Sequence, residues 1–271
     1  IYRLAGLIDD KLATIDKGID NYYVEYQKGI EEYSAECAIA KVFCSDVLAR
    51  TVDEVVQIHG GAGFCSEYPA ERFYRDERIN RIFEGTNEIN RLLIPTLFFR
   101  RADSGALDLW EQVNSVQSGI CFENCEDAGG DSLFGPEFSL LANQKKLFLL
   151  LLSALGNWRK EQELLLALGD LSIAIYAMES SLLRADMIMP SANTSEQKKG
   201  LLQAVVRVIA FETAARFQLT ASRCAAYGVQ GPELVALQKT FARLGTYPAV
   251  GLLEAKHLLA DAATESGAYL F

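Results

Sequence analysis

Apolar residues return every three to four positions along most of this chain, the period of a helix that buries one face. Leu4, Leu7, Ile8, Leu12 and Ile15 set that period over 1–17. Residues 21–29 are polar and tyrosine-rich and read as a connection. A long helix is expected over 32–59, with Ile39, Val42, Phe43, Val47, Val52, Val55 and Val56 as its apolar stripe. The Gly60-Gly61 pair should end it, because glycine readily takes the left-handed cap conformation. Pro69 and the charged run behind it predict a loop or a short helix. A further helix begins near Asn87, where Thr86 or Asn87 can offer a side-chain oxygen to the orphan amides. Pro95 falls inside that helix and should kink or shorten it.

The periodicity then lapses. Gly119, Gly129, Gly130, Gly135 and Pro136 break up the stretch 104–137, which reads as a linker with room for one short helix over 107–116. Beyond it the pattern resumes, with helices expected over 138–167, 171–187, 195–226, 231–244 and 250–263. The expected fold class is therefore all-α: one helical bundle over 1–103, an acidic linker over 104–137, and a second helical bundle over 138–271. A faint internal echo joins the two bundles. Residues 38–50 align with 204–216, pairing Lys41 with Arg207, Val42 with Val208, Asp46 with Glu212 and Arg50 with Arg216. A duplicated helical unit and a shared amphipathic pattern both account for it. No second copy of the Glu-Gly-Thr triplet is evident in the sequence.

Composition narrows the classes. With 271 residues, 50% of them apolar, the chain can bury a sizeable core. The formal net charge of −10 argues against nucleic acid as a partner. The charge is local: 103–144 holds eight acids and no Lys or Arg, so all but −2 of the excess sits there. The longest apolar run, 147–152, falls far short of the roughly 20 residues of a membrane span. No basic region followed by an apolar core marks a signal peptide. Six cysteines show no disulfide framework, and a reducing compartment fits them best. Cys121 and Cys125 lack a second ligand pair, and the histidines are only His59 and His257, so no metal site is expected. Lys145-Lys146 and Arg159-Lys160 flank the apolar segment 147–155. That arrangement suits a core helix with snorkelling ends, or a helix lying on a membrane surface.

The chemistry concentrates between Gln57 and Arg91. Gln57, Gly60, Gly61, Gly63 and Phe64 come first, then Glu67, Pro69, Glu71, Arg72, Arg75 and Asp76, then Ile82, Phe83, Glu84, Gly85, Thr86, Asn87, Ile89 and Arg91. Glu84 is the candidate base. Ile82 and Phe83 beside it suggest an apolar environment, which would raise a carboxylate's affinity for a proton. Gly85 would let another group approach the backbone closely. A plainer reading makes Glu84 a helix-start residue favourable to the helix dipole. The mixed-sign cluster Arg72, Arg75, Asp76, Glu77 and Arg78 reads as an ion-pair network that positions the glutamate loop.

This ordered set resembles the C-terminal signature of the acyl-CoA dehydrogenase family, flavoenzymes that oxidise acyl-CoA thioesters. The resemblance covers 1–103 closely. The rest of the chain is similar to the very-long-chain subgroup, which carries an extra C-terminal helical domain associated with membrane attachment. The resemblance implies that 1–103 is the family's C-terminal helical domain, incomplete at its start. On this reading the N-terminal helical domain and central β-domain have no counterpart here, and this stretch alone should be inactive. It further implies that Glu84 removes the α-proton, that the β-carbon passes a hydride to the N5 of FAD, and that trans-2-enoyl-CoA results. The backbone N–H of Glu84 and a flavin ribityl hydroxyl would hold the thioester oxygen. Gln57, Ile58, His59, Gly60 and Gly61 would reach the FAD of a neighbouring subunit, and Thr86, Asn87 and Glu88 would touch the dinucleotide. Glu88 departs from relatives that carry Gln there, and an acid would repel a phosphate. The implied partners are an acyl-CoA substrate, a second copy in a homodimer or dimer of dimers, and an electron-transfer flavoprotein. The implied location is cytoplasmic in a bacterium and mitochondrial in a eukaryote, and not secreted. An acyl-CoA oxidase and a non-catalytic helical assembly module are the competing readings.

Overall fold

The computed structural model describes residues 1–117, 130, 132–155, 158–191 and 194–270. Among them there is no strand. The fold is all-α, and the chain divides into two compact units, Ile1–Leu107 and Asp108–Phe271. Cys121 and Cys125, and the breakers Gly119 and Gly129, lie outside the described residues.

The first unit is built on one long helix. Helices α1 (Tyr2–Ala13) and α2 (Tyr22–Glu31) pack on each other. The second is a correction, because 21–29 reads as a connection by composition. Its glycine explains the difference: Gly29 is buried, and a Cβ there would stand 3.1 Å from the Leu12 side chain. Lys11 pairs with Glu32 at 2.7 Å across the same junction. Helix α3 (Ser34–His59) follows, then the short α4 (Gly61–Phe64), α5 (Pro69–Glu77), a 3-10 turn (Arg78–Arg81) and α6 (Asn87–Asp103). Helix α3 packs against both α5 and α6. Its buried face is Ala35, Ala38, Ile39, Val42, Ser45, Ala49 and Val52. Phe43 and Val47, expected in the stripe, are each 43% exposed. Small residues carry the buried face instead, which lets two helices pack closely along it. Pro95 does not shorten α6, which runs on to Asp103, and Pro95 itself is buried.

The second unit comprises α7 (Leu109–Gln117), α8 (Gly135–Ala154), a 3-10 turn (Trp158–Lys160), α9 (Gln162–Ile188), α10 (Glu196–Gly228), α11 (Gly231–Leu244) and α12 (Leu252–Ser266). Helix α7, inside the expected linker, packs on α8 and belongs to this unit, while 104–107 stay with the first. The single helix expected over 138–167 is two, with α8 ending at Ala154 and α9 starting at Gln162. Helix α10 is capped as a Ser-led start should be, with the Lys198 N–H donating to Ser195 Oγ at 3.2 Å. The core gathers Phe134, which precedes α8, with Leu140, Leu141, Met178, Leu182, Val206 and Ala210 from α8, α9 and α10. Helix α9 is long and apolar enough to cross a membrane by length and composition. Its buried face, which includes Leu164, Leu168, Leu171 and Leu182, is spent inside the bundle. The basic flanks are engaged as well: Lys145 pairs with Glu179, and the Arg159 guanidinium sits 5.4 Å from the Trp110 ring centre.

Cys224 is fully buried in this unit, and burial pushes its thiol up to about 12. An unfolded thiol ionises near 9.0, so the unfolded chain loses its proton first. This residue's contribution to stability therefore falls as pH climbs through that window. Iodoacetamide at pH 8, followed by mass mapping, is expected to label the exposed Cys65 in the native protein and Cys224 only after denaturation. Native labelling of Cys224 would show that the second unit opens readily.

Candidate active site

The turn between Arg81 and α6 puts two consecutive residues at positive φ. The Phe83 N–H donates to the Ile79 carbonyl at 3.0 Å and closes the 3-10 end. Glu84 follows at φ +54°, alone among described non-glycine residues in having a positive φ. Gly85 comes next at φ +78°. A left-handed glutamate costs on the order of 1–3 kcal/mol unless its surroundings fix it. Thr86 then starts α6, its Oγ1 accepting from the Ile89 N–H at 3.2 Å. That leaves the N–H groups of Asn87 and Glu88 as the open donors of the first turn.

Helix α3 supplies the floor. Lys41 Nζ donates to the Gly85 carbonyl at 2.8 Å and to Asn87 Oδ1 at 2.7 Å. Asn87 Nδ2 donates to Ser45 Oγ and to Asp46 Oδ1, both at 2.8 Å. Arg91 meets the other Asp46 oxygen at 2.5 Å. From α6 itself, Asn90 Nδ2 donates to the Gly85 carbonyl at 2.8 Å, to that of Thr86 at 3.1 Å and more distantly to that of Glu84 at 3.4 Å. Burial pushes the Lys41 ammonium below its ordinary range, and Arg91 adds to this; Asp46, Glu88 and Glu84 pull the other way.

The residues singled out by sequence fall into two groups. Glu84, Gly85, Thr86, Asn87 and Glu88 share this turn. Glu84 is exposed, and its N–H finds no partner among the described residues. Ile82 and Phe83 are 49% and 46% exposed, so the apolar surroundings expected for Glu84 are not closed by the described chain. Asn87 is 2% exposed with its side chain committed inward, so contact with anything outside falls to its backbone. Gln57, Ile58, His59, Gly60 and Gly61 form the other group, all exposed at the far end of α3. Lys41 and Gln57 lie on one continuous helix, sixteen residues apart, which is about 24 Å along the axis. One compact pocket cannot hold both groups.

At that far end the cap differs in detail from expectation. Gly60 has φ +58° but ψ −140°, outside the left-handed helical region. His59 Nδ1 lies 2.7 Å from the Val55 carbonyl, a local structural contact. Gly63 is the glycine that geometry requires, since a Cβ there would stand 2.6 Å from the Val56 carbonyl oxygen. Gly61 has nothing within 4 Å of such a Cβ, leaving its backbone open to approach. The charged cluster before the turn is less of a network than expected. Arg75 reaches Glu71 at 4.0 Å, Arg81 reaches Glu77 at 3.4 Å, and Arg72 lies over Phe73.

Sequence reasoning missed Lys41, Ser45, Asp46 and Asn90. The available signal was three polar residues on the helix face that also carries Val42 and Ala49. It also missed a partner for Gly85. Continuing the echo at its own offset of 166, Gly85 falls on Gly251, which has φ +72° and precedes α12 as Gly85 precedes α6. Val250 stands where Glu84 would be. Helix α10 packs on α12 as α3 packs on α6. Arg207, the counterpart of Lys41, has Nη1 3.3 Å from where a Cβ on Gly251 would sit. It also touches Tyr247, which donates to the buried Glu137. Burial first, then the bond to Glu137 and its charge, push the Tyr247 phenol well above its ordinary range.

Comparison with known proteins gives a consistent result. A family model described as "Acyl-CoA dehydrogenase, C-terminal domain" matches residues 21–96, and a second of the same description matches 143–239. A "Probable acyl-CoA dehydrogenase" of Bacillus subtilis is 38% identical over 208 residues, covering 74% of this chain and 35% of that protein. The mitochondrial very long-chain specific acyl-CoA dehydrogenase of Mus musculus is 41% identical over 98 residues, 33% of this chain and 15% of its own length. The crystal structure of an acyl-CoA dehydrogenase complexed with FAD from Bacillus anthracis matches with a TM-score of 0.89 and 34% identity, over 98% of this chain and 46% of that one. This chain therefore spans less than half the length of these relatives.

The two glycines predict opposite outcomes. Gly63→Ala is expected to cost about 1–3 kcal/mol in urea unfolding, because the Val56 backbone must move. Gly61→Ala should stay within about 0.5 kcal/mol of the parent. Equal losses would mean that the turn is held by something other than this close approach.

Proposed function

We propose, from the premise that this chain belongs to the acyl-CoA dehydrogenase family, that it forms the C-terminal part of an FAD-dependent enzyme with Glu84 as its base. The whole protein converts an acyl-CoA to the trans-2-enoyl-CoA. The observation that carries this reading is the exposed, left-handed Glu84 with an unpartnered N–H, set in the family's Glu-Gly-Thr triplet. The Glu84 carboxylate takes the proton from the α-carbon. Its N–H donates to the thioester carbonyl, where negative charge grows as that proton leaves. Gly85 keeps the backbone open to the thioester. FAD, when bound, supplies the acceptor for the hydride that leaves the β-carbon.

The residues fit a flavin dinucleotide at two places. The open N–H groups of Asn87 and Glu88 begin α6, where a helix start favours an anion. Glu88 opposes a phosphate there, so its side chain must turn away. At the other end of α3, the exposed Gln57, Ile58, His59, Gly60 and Gly61 offer a backbone with open space around Gly61. The length of helix between the two places supports giving them to the cofactors of two different copies, so that a homodimer or dimer of dimers builds each site. An electron-transfer flavoprotein would be the acceptor that takes the electrons on from the bound cofactor. This stretch alone is inactive on our reading, because Ile82, Phe83 and Glu84 need cover that the described residues do not provide.

The test uses the full-length protein. Anaerobic addition of saturated acyl-CoAs of several chain lengths is expected to bleach the oxidised flavin. Glu84→Gln should slow bleaching by at least about 10³-fold, since the step loses its proton acceptor. Bleaching at the parental rate in that variant would put the base elsewhere. Rapid reoxidation of the reduced flavin in air would instead favour an acyl-CoA oxidase.

A further inference from the structure

The Gly85 carbonyl accepts two donors from two helices, Lys41 Nζ from α3 and Asn90 Nδ2 from α6, each at 2.8 Å. A carbonyl has two lone pairs, and both are filled here. That fixes the plane of the peptide following Gly85. Asn90 also reaches the carbonyls on either side, so one amide spans the turn. The use of Lys41 is costly. It is partly buried, and its ammonium meets two neutral oxygens, not a carboxylate. The nearby Asp46 carboxylate goes to Asn87 and Arg91 instead. A desolvated cation held on a peptide oxygen implies that the position of that oxygen matters.

The second unit supplies the contrast. At the offset of 166, Lys41 corresponds to Arg207, Asn90 to Lys256 and Glu84 to Val250. Arg207 bonds to Tyr247, and Lys256 reaches Glu212 at 3.1 Å. Neither donates to the Gly251 carbonyl among the described residues. Where the carboxylate is absent, so is the two-donor clasp.

We propose that Lys41 and Asn90 are positioning residues for Glu84, clasping the Gly85 carbonyl so that the preceding residue stays left-handed, with its N–H and carboxylate on one substrate. This rests on the reading of Glu84 as the base. Without the clasp the turn relaxes toward negative φ, and both groups move off the reacting atoms. Substrate affinity depends on the rest of the acyl-CoA and should change little.

The experiment measures single-turnover flavin bleaching by palmitoyl-CoA in the full-length holoenzyme, per bound flavin, for Lys41→Met, Asn90→Ala and Glu84→Gln. In each clasp variant the saturating rate should fall roughly 10- to 100-fold, while the half-saturating concentration stays within about 3-fold. A parental saturating rate in both clasp variants, with Glu84→Gln inactive, overturns the clasp and leaves the base standing. A shift confined to half-saturation also overturns it. If Glu84→Gln bleaches like the parent, the base assignment itself fails. Should Lys41→Met yield no flavoprotein, Asn90→Ala decides by the same criterion.

Discussion

Helix α3 is the member on which the first unit depends, and its polar interruption matters as much as its apolar face. Lys41, Ser45 and Asp46 sit on a helix whose other inward residues are Ala35, Ala38, Ile39, Val42, Ala49 and Val52. Burying such groups without partners would cost several kcal/mol. Each is therefore satisfied by α6 or the turn before it: Asn87 by three of its hydrogen bonds, Arg91 by its ion pair, Gly85 by its carbonyl. Satisfaction runs both ways. The network joins α3 to α6 and, in the same contacts, sets the backbone at Glu84. The interactions that hold α3 to α6 also fix the carbonyls of the turn before α6.

Length divides the labour along α3. Its first half grips the glutamate turn, and its last turn carries the exposed Gln57–Gly61 segment. A rigid helix keeps these about 24 Å apart. The exposed Ile58, Phe64, Ile82 and Phe83 agree with surfaces that another part of the protein, or another copy, covers.

The second unit repeats the same device with different chemistry. A left-handed glycine precedes a helix that packs on a long central one, with a cation beside the turn. Arg207, Tyr247 and Glu137 form a local cluster there, and Val250 removes the carboxylate.

Much of this was legible in the chain itself. The cap at Thr86, the C-terminal end of α3 and the bounds of α11 follow from interactions between residues three or four apart, whereas the motif around Glu84 was legible only through its resemblance to a family signature. The tyrosine-rich 21–29 misled because polarity outweighed a weak apolar period, while the packing of α2 on α1, with Gly29 against Leu12, supports the helix across a distance no local rule reads. The stripe of α3 misled for a related reason: periodicity favours large residues, whereas the close partner α6 selected small ones. Lys41 meets Gly85 across 44 residues and Asn87 across 46, and the partner of Gly85 in the second unit is 166 residues away. No local rule connects such positions. The sequence determined the all-α class and helix bounds such as those of α11, because those depend on near neighbours. The tertiary structure alone decided which backbone is clasped and which surfaces stay exposed, because those depend on distant segments brought together by packing.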